Sequence, residues 1–246
     1  MSGTDNKPTA ARFSLWRLAP LLVLILGLIA FFAFGFHHQI SAEAFQRHSA
    51  SLTEIADHWW APLAYFAIYV LVTAFSLPVA VMATIAGGYM FGALLATLLT
   101  ATAATLGATA VFLIARSALG EPLRVKAGPA IKKMESGFRK NALNYLLVLR
   151  LIPLFPFWLV NLVPAFLGVP LSTYVIGTVL GIVPGSFVFS NFGAGLQSVL
   201  SQGSELTLDS VVTPQIVISL VGLAILALLP VAYRKWKARA RRSGPE

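Results

Sequence analysis

Arg150 is the residue of this sequence whose chemistry points most clearly to a ligand. It follows an apolar run that ends at Leu149 and precedes Leu-Ile-Pro-Leu-Phe-Pro, with no acid nearby. An unpaired arginine at the centre of a membrane costs about 2.5–3.5 kcal/mol on the insertion scale. The guanidinium fork matches phosphate oxygens, so one interpretation is contact with a phosphate head group. The alternative is an interfacial arginine whose side chain snorkels to water.

Arg116 and Asn161 are the two other candidate substrate-binding residues. Arg116 ends an apolar run and is predicted to lie at the inner mouth of a membrane span, where snorkelling is the competing explanation. Asn161 is the only amide side chain between positions 145 and 190. It can bond to a ligand, or to backbone groups that nearby prolines leave free, in which case it only stabilises the helices.

The residues that must position these side chains lie in two long apolar stretches, about 62–115 and 142–200. Proline, glycine and asparagine interrupt both stretches. A broken helix exposes N–H and C=O groups that lipid cannot satisfy, so it persists only where protein or a polar cavity covers it. Each stretch is therefore a candidate wall of a pathway, although glycines also suit close helix packing. The residues given these structural roles are Pro78, Gly87, Gly88, Gly92, Gly107, Pro153, Pro156, Pro164, Gly181, Pro184 and Gly185.

Composition indicates a membrane protein and excludes most catalytic chemistry. Of the 246 residues, 57% are hydrophobic and 11% are charged, and the mean hydropathy is +0.80. The chain has no cysteine, and its only acids between positions 58 and 204 are Glu121 and Glu135. An intramembrane aspartyl protease, a Ser–His dyad or a buried zinc site therefore lacks its residues. We predict no enzyme activity, no cofactor and no metal site.

Loop charges alternate in sign and predict the topology. The positive-inside rule places the basic segments, and hence both termini, in the cytoplasm. This pattern accounts for the net charge of +9, so no nucleic-acid partner is predicted. The predicted order is cytoplasmic N-terminus 1–17, transmembrane helix 18–36, external loop 37–60, core 61–200, external loop 201–210, transmembrane helix 211–233 and basic cytoplasmic tail 234–246.

The first predicted helix and the loop after it leave two questions open. Residues 18–36 would measure roughly 28 Å as a helix, which favours a retained span. The alternative is a signal peptide cleaved near Ala42-Glu43-Ala44. Glu54 and Asp57 are possible proton-coupling acids at the end of the loop. The loop also holds all the histidines, which either bind metal, sense pH or are merely solvated: His37, His38, His48 and His58.

The core is predicted to contain two hairpins that enter the membrane and return. The loop charges require an odd number of crossings in each apolar stretch, and residues 79–91 are too few for one. Three full spans per stretch are the alternative. The predicted segments are hairpin 62–91, span 92–116, basic amphipathic segment 117–140, hairpin 142–168 and span 171–196. The fold class is thus an all-α membrane protein with about four transmembrane helices and two opposed re-entrant hairpins in an inverted repeat.

Three segments of this core resemble one known family, the DedA/VTT superfamily of SNARE-associated Golgi proteins. They are Ala86-Gly-Gly-Tyr-Met-Phe-Gly92, Gly107-Ala-Thr-Ala-Val-Phe-Leu-Ile-Ala-Arg116 and Leu149-Arg-Leu-Ile-Pro-Leu-Phe-Pro156. The resemblance covers about residues 60–200 and is closest to the yeast Tvp-like branch. It implies two re-entrant hairpins that face each other and a role in moving lipids between leaflets. Some members are tied to the proton-motive force through acids, but this chain has none within its hairpins.

The functional prediction is therefore a flippase or scramblase that moves phospholipid or polyprenyl phosphate between leaflets. Its expected partners are membrane lipids with anionic or phosphate head groups, and a homo-oligomer is possible. We expect a multi-pass protein of the plasma membrane, which in bacteria is the inner membrane. The alternatives are a secondary transporter of small solutes or anions and a non-transporting membrane scaffold.

Overall fold

The computed structural model of the protein describes residues 15–35, 42–126, 141–151 and 157–200, together with positions 214, 217–219, 221, 222 and 225. The regular structure of these residues is entirely α-helical. Up to residue 200 it comprises seven helices: α1 (Leu15–Ala33), α2 (Ala42–Ala56), α3 (Ala61–Ala74), α4 (Ala80–Lys126), α5 (Ala142–Leu151), α6 (Phe157–Phe166) and α7 (Leu171–Leu200). The predicted all-α class is confirmed for the described part of the chain.

α3 and the first part of α4 form an antiparallel pair, which we call the first helical pair. α3 starts with a proline in its first turn, where the missing N–H costs nothing. It ends where the N–H groups of Ser76 and Leu77 bond to Thr73 and Val72 at 3.0 and 2.9 Å. This is a Schellman motif, and Ser76 takes the left-handed position (φ 52°) that glycine usually occupies. Pro78 lies exposed in the turn that follows.

Gly92 divides α4 into two arms, residues 80–91 and 93–126. Its φ of 76° and ψ of 170° lie in a region that is essentially restricted to glycine. The hydroxyl of Tyr65 donates to the carbonyl of Ala83 (3.1 Å) and also bonds to Thr100 (2.7 Å), so α3 contacts both arms. Tyr69, one turn later, reaches back to the carbonyl of Ala80 (3.3 Å). The chain therefore reverses direction at the glycine.

The same order of elements returns in the second half of the chain. The short helices α5 and α6, the second helical pair, precede a glycine with positive φ (Gly168, 66°), and the long helix α7 follows. Gly168 closes α6 in a Schellman motif, because its N–H bonds to Ala165 and that of Val169 to Pro164 (3.4 and 3.1 Å). Whether the two halves have opposite orientations in a membrane stays a prediction.

α4 and α7 make the most extensive contact between any two described helices. A Cβ on Gly88 would overlap the carbonyl group of Ser190, and one on Gly193 would overlap the carbonyl of Ile85. The two backbones thus touch without intervening side chains. Small side chains continue this close packing along α4, where threonine hydroxyls bond to carbonyls four residues back, as at Thr105 (2.6 Å to Ala101).

Many large apolar side chains face outward, as expected of a protein surrounded by lipid. Leu94, Leu98 and Leu63 are 74%, 65% and 67% exposed. By length and composition alone, Ala80–Ala118 and Leu171–Leu200 are the candidate membrane spans among the described residues. Because the first reverses direction at Gly92, its arm after the glycine is the part that could cross. α2 and α3 meet at an angle of 118° and together would make a third, bent candidate. The predicted number of four spans and the re-entrant character of the helical pairs stay predictions.

Three described helices have bounds that differ from those of the predicted segments, whose membrane boundaries stay predictions. The external loop 37–60 contains helix α2, whose sequence alternates apolar and polar residues at helical spacing. The helix of the predicted span 92–116 continues through Gly120 and Pro122 to Lys126. α7 continues through Pro184 to Leu200, four residues beyond the predicted end. The proposed amphipathic helix after residue 130 and most of the span 211–233 lie outside the described residues.

Candidate functional site

The candidate site forms where α5, α6 and α7 converge on the Arg150 side chain. Arg150 lies in the last turn of α5. Gly181 of α7 makes room for it, because a Cβ there would lie 2.5 Å from Cβ and 3.0 Å from Cγ of the arginine. One turn earlier, Gly177 faces Leu146 of α5 in the same way, at 3.1 Å. Two glycines of α7 therefore let α5 approach closely and bring the guanidinium between the helices.

A single nitrogen of the guanidinium, Nη2, makes all the hydrogen bonds of Arg150 to described residues. Three side-chain oxygens accept from it, those of Asn161 (2.9 Å), Tyr174 (2.9 Å) and Thr178 (3.0 Å). The hydroxyl of Tyr174 in turn points to Asn161 Oδ1 (3.0 Å) and to the carbonyl of Ala108 (3.2 Å). All three acceptor residues are buried. The arginine is thus anchored by one edge of its fork.

The other edge of the fork has no partner in the described part of the chain. Nε and Nη1 of Arg150 are inaccessible to solvent and form no hydrogen bond with a described residue, and the same is true of Nδ2 of Asn161. Residues 141–200 contain no aspartate or glutamate that could neutralise the charge. An unpaired buried charge is costly, so this arrangement favours an anion that completes the site.

Aromatic rings define the walls of the site. The guanidinium carbon lies 5.4 Å from the ring centroid of Phe157 and 5.6 Å from that of Tyr174, distances at which a cation is attracted to the ring. The Tyr174 ring also stacks on Phe112 of α4, with centroids 4.3 Å apart. Phe112 and Tyr174 belong to a fully buried cluster with Leu146 and Val169. The packed core therefore holds the acceptors of Arg150 in place.

The structure brings two of the three candidate substrate-binding residues together and leaves the third apart. Arg150 and Asn161 are in direct contact. Arg116 is exposed on α4, about 12 Å farther along the helix than Ala108 at the site. Glu54 and Asp57, the possible coupling acids, are exposed at the end of α2 and in the bend after it.

The predicted structural residues occupy different parts of the fold. Gly87, Gly88, Gly107 and Gly181 face neighbouring helices at close range. Pro164 is buried inside α6, whereas Gly92 and Gly185 have no atom within 4 Å of a Cβ placed on them. Pro153 and Pro156 lie outside the described residues.

Sequence reasoning missed Tyr174 and Thr178, which hold the guanidinium from α7. The two residues stand four apart, on one face of the helix, and Gly177 and Gly181 lie one turn apart near the same face. Polar side chains at this spacing in an apolar helix, beside small residues, indicate a site for a partner group from another helix. The sequence contained that pattern, but not which group it would meet.

Residues 77–195, which contain this site, α4 and most of α7, match the VTT domain family. The chain belongs to the VTT-domain family. Its relatives include Transmembrane protein 41B of Danio rerio, 29% identical over 177 residues, with 70% of this chain and 60% of the relative covered. A Transmembrane protein 41 homolog of Dictyostelium discoideum is 34% identical over 172 residues (68% and 49% covered).

Human Transmembrane protein 41B is 30% identical over 177 residues, with 70% of this VTT-domain chain and 58% of the human protein covered. The chain thus spans about half to three-fifths of the length of these relatives. No solved structure matches it. Membership of the VTT family is therefore confirmed, whereas the resemblance to the yeast Tvp-like branch stays a prediction.

Proposed function

We propose that this protein moves phosphate-bearing lipids between the two leaflets of a membrane, as a flippase or scramblase without enzymatic activity. The proposal rests on one observation: only Nη2 of the Arg150 guanidinium has hydrogen-bond partners among the described residues. Its Nε and Nη1, beside Nδ2 of Asn161, are buried donors without a described partner, among helices that contain no acid. A phosphate offers oxygens with the geometry that this fork requires. The outward-facing apolar surface supplies the lipid surroundings.

Phosphate-bearing lipid is favoured over a freely diffusing anion because the site lies in apolar surroundings. The helices around Arg150 expose leucine and tryptophan to the outside, for example Trp158 (46%) and Leu143 (36%). A lipid can present its head group to the arginine while its tails remain in the hydrocarbon, which spares the cost of moving them. A small anion would need a continuous wet path. This small-anion function remains the second candidate, because the donor chemistry is the same.

The decisive experiment uses purified protein in vesicles that carry a fluorescent phospholipid, with an external quencher that reveals lipid reaching the outer leaflet. Replacing Arg150 with alanine should slow transfer by at least about tenfold, since hydrogen bonds to a charged group contribute about 1.5–3 kcal/mol. Thr102→Ala, which removes an exposed hydroxyl bonded only to its own helix, is the matched control and should leave transfer unchanged.

The same vesicles separate the candidate functions. Lipid transfer without uptake of labelled inorganic phosphate supports the lipid proposal, and the reverse result supports an anion transporter. If wild-type protein moves neither lipid nor phosphate, both transport functions are contradicted and the non-transporting membrane scaffold remains. Transfer measured with and without a pH gradient reports on coupling, and the exposed positions of Glu54 and Asp57 lead us to propose transfer that does not need one.

We further propose that the two helical pairs re-enter the membrane from opposite leaflets of the plasma membrane, with four spans and cytoplasmic termini. The pairs are short, and each is followed by a positive-φ glycine and a long apolar helix. Since the chain has no cysteine, single cysteines near positions 78 and 156 can be tested with impermeant reagents without background. Labelling of position 78 from the cytoplasmic side and of position 156 from the external side, as expected of straight spanning helices, would contradict this topology.

A further inference from the structure

An apolar cavity of about 60 Å³ lies between α1, the turn of the first helical pair and α6. Leu24 and Leu28 of α1 form one side, Phe75 and Ser76 of the turn a second, and Trp158 and Leu162 of α6 a third. The cavity is therefore lined by α1 and by elements of both halves of the molecule. The cavity is partly open to the outside, where lipid is the surrounding medium.

α1 closes this cavity and is only lightly attached to the rest of the fold. Its closest approach is at Gly27, where a Cβ would overlap the ring of Phe75. Most of its large apolar side chains face outward instead, among them Leu26 (62%), Val23 (58%) and Ile29 (56%). Little buried area would be lost if the helix moved aside, because apolar side chains that leave the cavity would enter lipid.

α6 separates the cavity from the arginine site and contributes to both. Phe157 and Asn161 face Arg150, whereas Trp158 and Leu162 line the cavity. Each pair is four residues apart, so each forms one stripe of the helix, and the two stripes are neighbours about 100° apart. One face of α6 thus contacts the arginine that would bind a phosphate, and the neighbouring face of the same helix lines the apolar cavity.

We propose that the cavity is a seat for the acyl chain of the transported lipid, and that α1 moves outward to admit it. This proposal rests on the proposed function, because it assigns the other end of the same lipid. The volume is well below the roughly 150 Å³ that admits a benzene molecule in a protein interior. The closed form therefore holds only a short piece of chain, and passage of a whole chain requires displacement of α1.

The first test does not depend on transport. Wild-type protein in vesicles is exposed to a phospholipid with a photoactivatable group in its acyl chain, and the labelled residues are mapped. We expect label on residues 24–28 and 158–162. Leu28→Trp, which fills the cavity, should reduce this label at least fivefold, whereas Leu26→Trp, on the exposed side of the same helix, should leave it unchanged. Equal labelling in both variants would overturn the proposal.

The second test holds α1 closed by a covalent link. Cysteines are placed at positions 27 and 75, because a Cβ on Gly27 would lie 3.4 Å from Cγ of Phe75, and the chain has no other thiol. The oxidised pair should slow lipid transfer at least tenfold and recover when reduced. A pair at positions 188 and 222, which are also in contact, is the control and should not respond. Unchanged transfer with α1 fixed would show that the helix need not move.

The outcomes distinguish failure of this inference from failure of the proposed function. If wild-type protein moves no lipid but its α1 and α6 are labelled, the acyl-chain seat stands and transport does not. If it moves lipid but Leu28→Trp and the 27–75 disulfide have no effect, transport stands and the seat is wrong.

Discussion

The two halves of the molecule share an order of elements but differ in how their polar groups are satisfied. In the first half, the hydroxyls of Tyr65 and Tyr69 bond to Thr100 and Thr84 at 2.7 and 2.9 Å, so the first helical pair is closed by neutral groups that satisfy each other. In the second half a charged residue, Arg150, keeps donors that no described residue accepts. The tyrosine hydroxyls of the first pair thus have partners within the protein, whereas Nε and Nη1 of Arg150 in the second pair have none among the described residues.

The comparison can be made at equivalent helix crossings. Gly107 of the first long arm packs against Thr73 and Ala74 at the end of α3, and Gly181 packs against Arg150 at the end of α5. The same type of contact thus involves a small side chain in one half and the stem of an arginine in the other. Thr73 Oγ1 is also buried without a described partner, but it carries no charge and costs far less. The shared order of elements therefore gives the two halves similar helix contacts, and Arg150 gives the second half a charged residue at that contact.

The largest effect on lipid transfer is expected from a change that gives the Arg150 guanidinium a charged partner within the protein. Asn161→Asp places a carboxylate where Oδ1 already lies 2.9 Å from Nη2. The new ion pair would neutralise the arginine and compete with phosphate, so lipid transfer should fall by more than about tenfold, while stability is retained because the buried charge gains a partner. The readouts are the transfer rate and the melting temperature in detergent.

Asn161→Leu is the companion variant, since it removes the acceptor without adding charge. It should lower the melting temperature as well as transfer. If Asn161→Asp transfers lipid at the wild-type rate, Arg150 serves only to hold the helices together.

Gly92→Ala should destabilise the first half by about 1–3 kcal/mol, because alanine is strained at its φ and ψ. Gly185→Ala is the control, because that position is equally free of neighbours but has no positive φ. Thermal unfolding of both variants in the same detergent measures the effect. Equal melting temperatures would mean that the chain reversal at Gly92 is absent in solution.

Much of this architecture was accessible from the sequence because it depends on local rules. Gly92 and Pro78 mark helix breaks, whereas Pro164 and Pro184 lie inside helices. Arg150 and Asn161 stand out as polar residues in apolar runs. The partners of Arg150 on α7 were not accessible, because contacts between helices depend on packing rather than on sequence spacing. α2 was not predicted, although its pattern is that of an amphipathic helix.

Removing one tyrosine hydroxyl from each half tests the comparison directly. Tyr65→Phe leaves Thr100 and the carbonyl of Ala83 without that partner, and should cost about 1 kcal/mol of stability with no specific loss of transfer. Tyr174→Phe should cost a similar amount but also slow transfer severalfold, since it frees one of the bonds that orient Arg150. Comparable losses of transfer in both variants would contradict a division of roles.

Ser76→Gly should stabilise the protein by about 1 kcal/mol, because the left-handed conformation (φ 52°) costs a residue with a side chain roughly that amount. Chemical denaturation or melting temperature provides the measurement. Ser198→Gly, inside α7, should have the opposite sign. A destabilised Ser76→Gly variant would show that the serine hydroxyl matters more than the backbone.

The smallest effect is expected for Arg116→Ala. Arg116 is exposed and makes no hydrogen bond or ion pair with a described residue, so transfer should change by less than about twofold at physiological salt. A loss of lipid transfer as large as that expected for Arg150→Ala would indicate that Arg116 also contacts the transported lipid.

The direct contact of Gly88 with Ser190 and of Gly193 with Ile85 limits how this fold can be redesigned. Where two backbones meet with nothing between them, neither helix can slide or tilt without collision, so the crossing acts as a fixed pivot for everything around it. Substitutions intended to let the proposed transporter accept other lipids should therefore be made in α1, and these four positions should be kept. Under selection for lipids with bulkier acyl chains, we would expect the first substitutions to occur in α1.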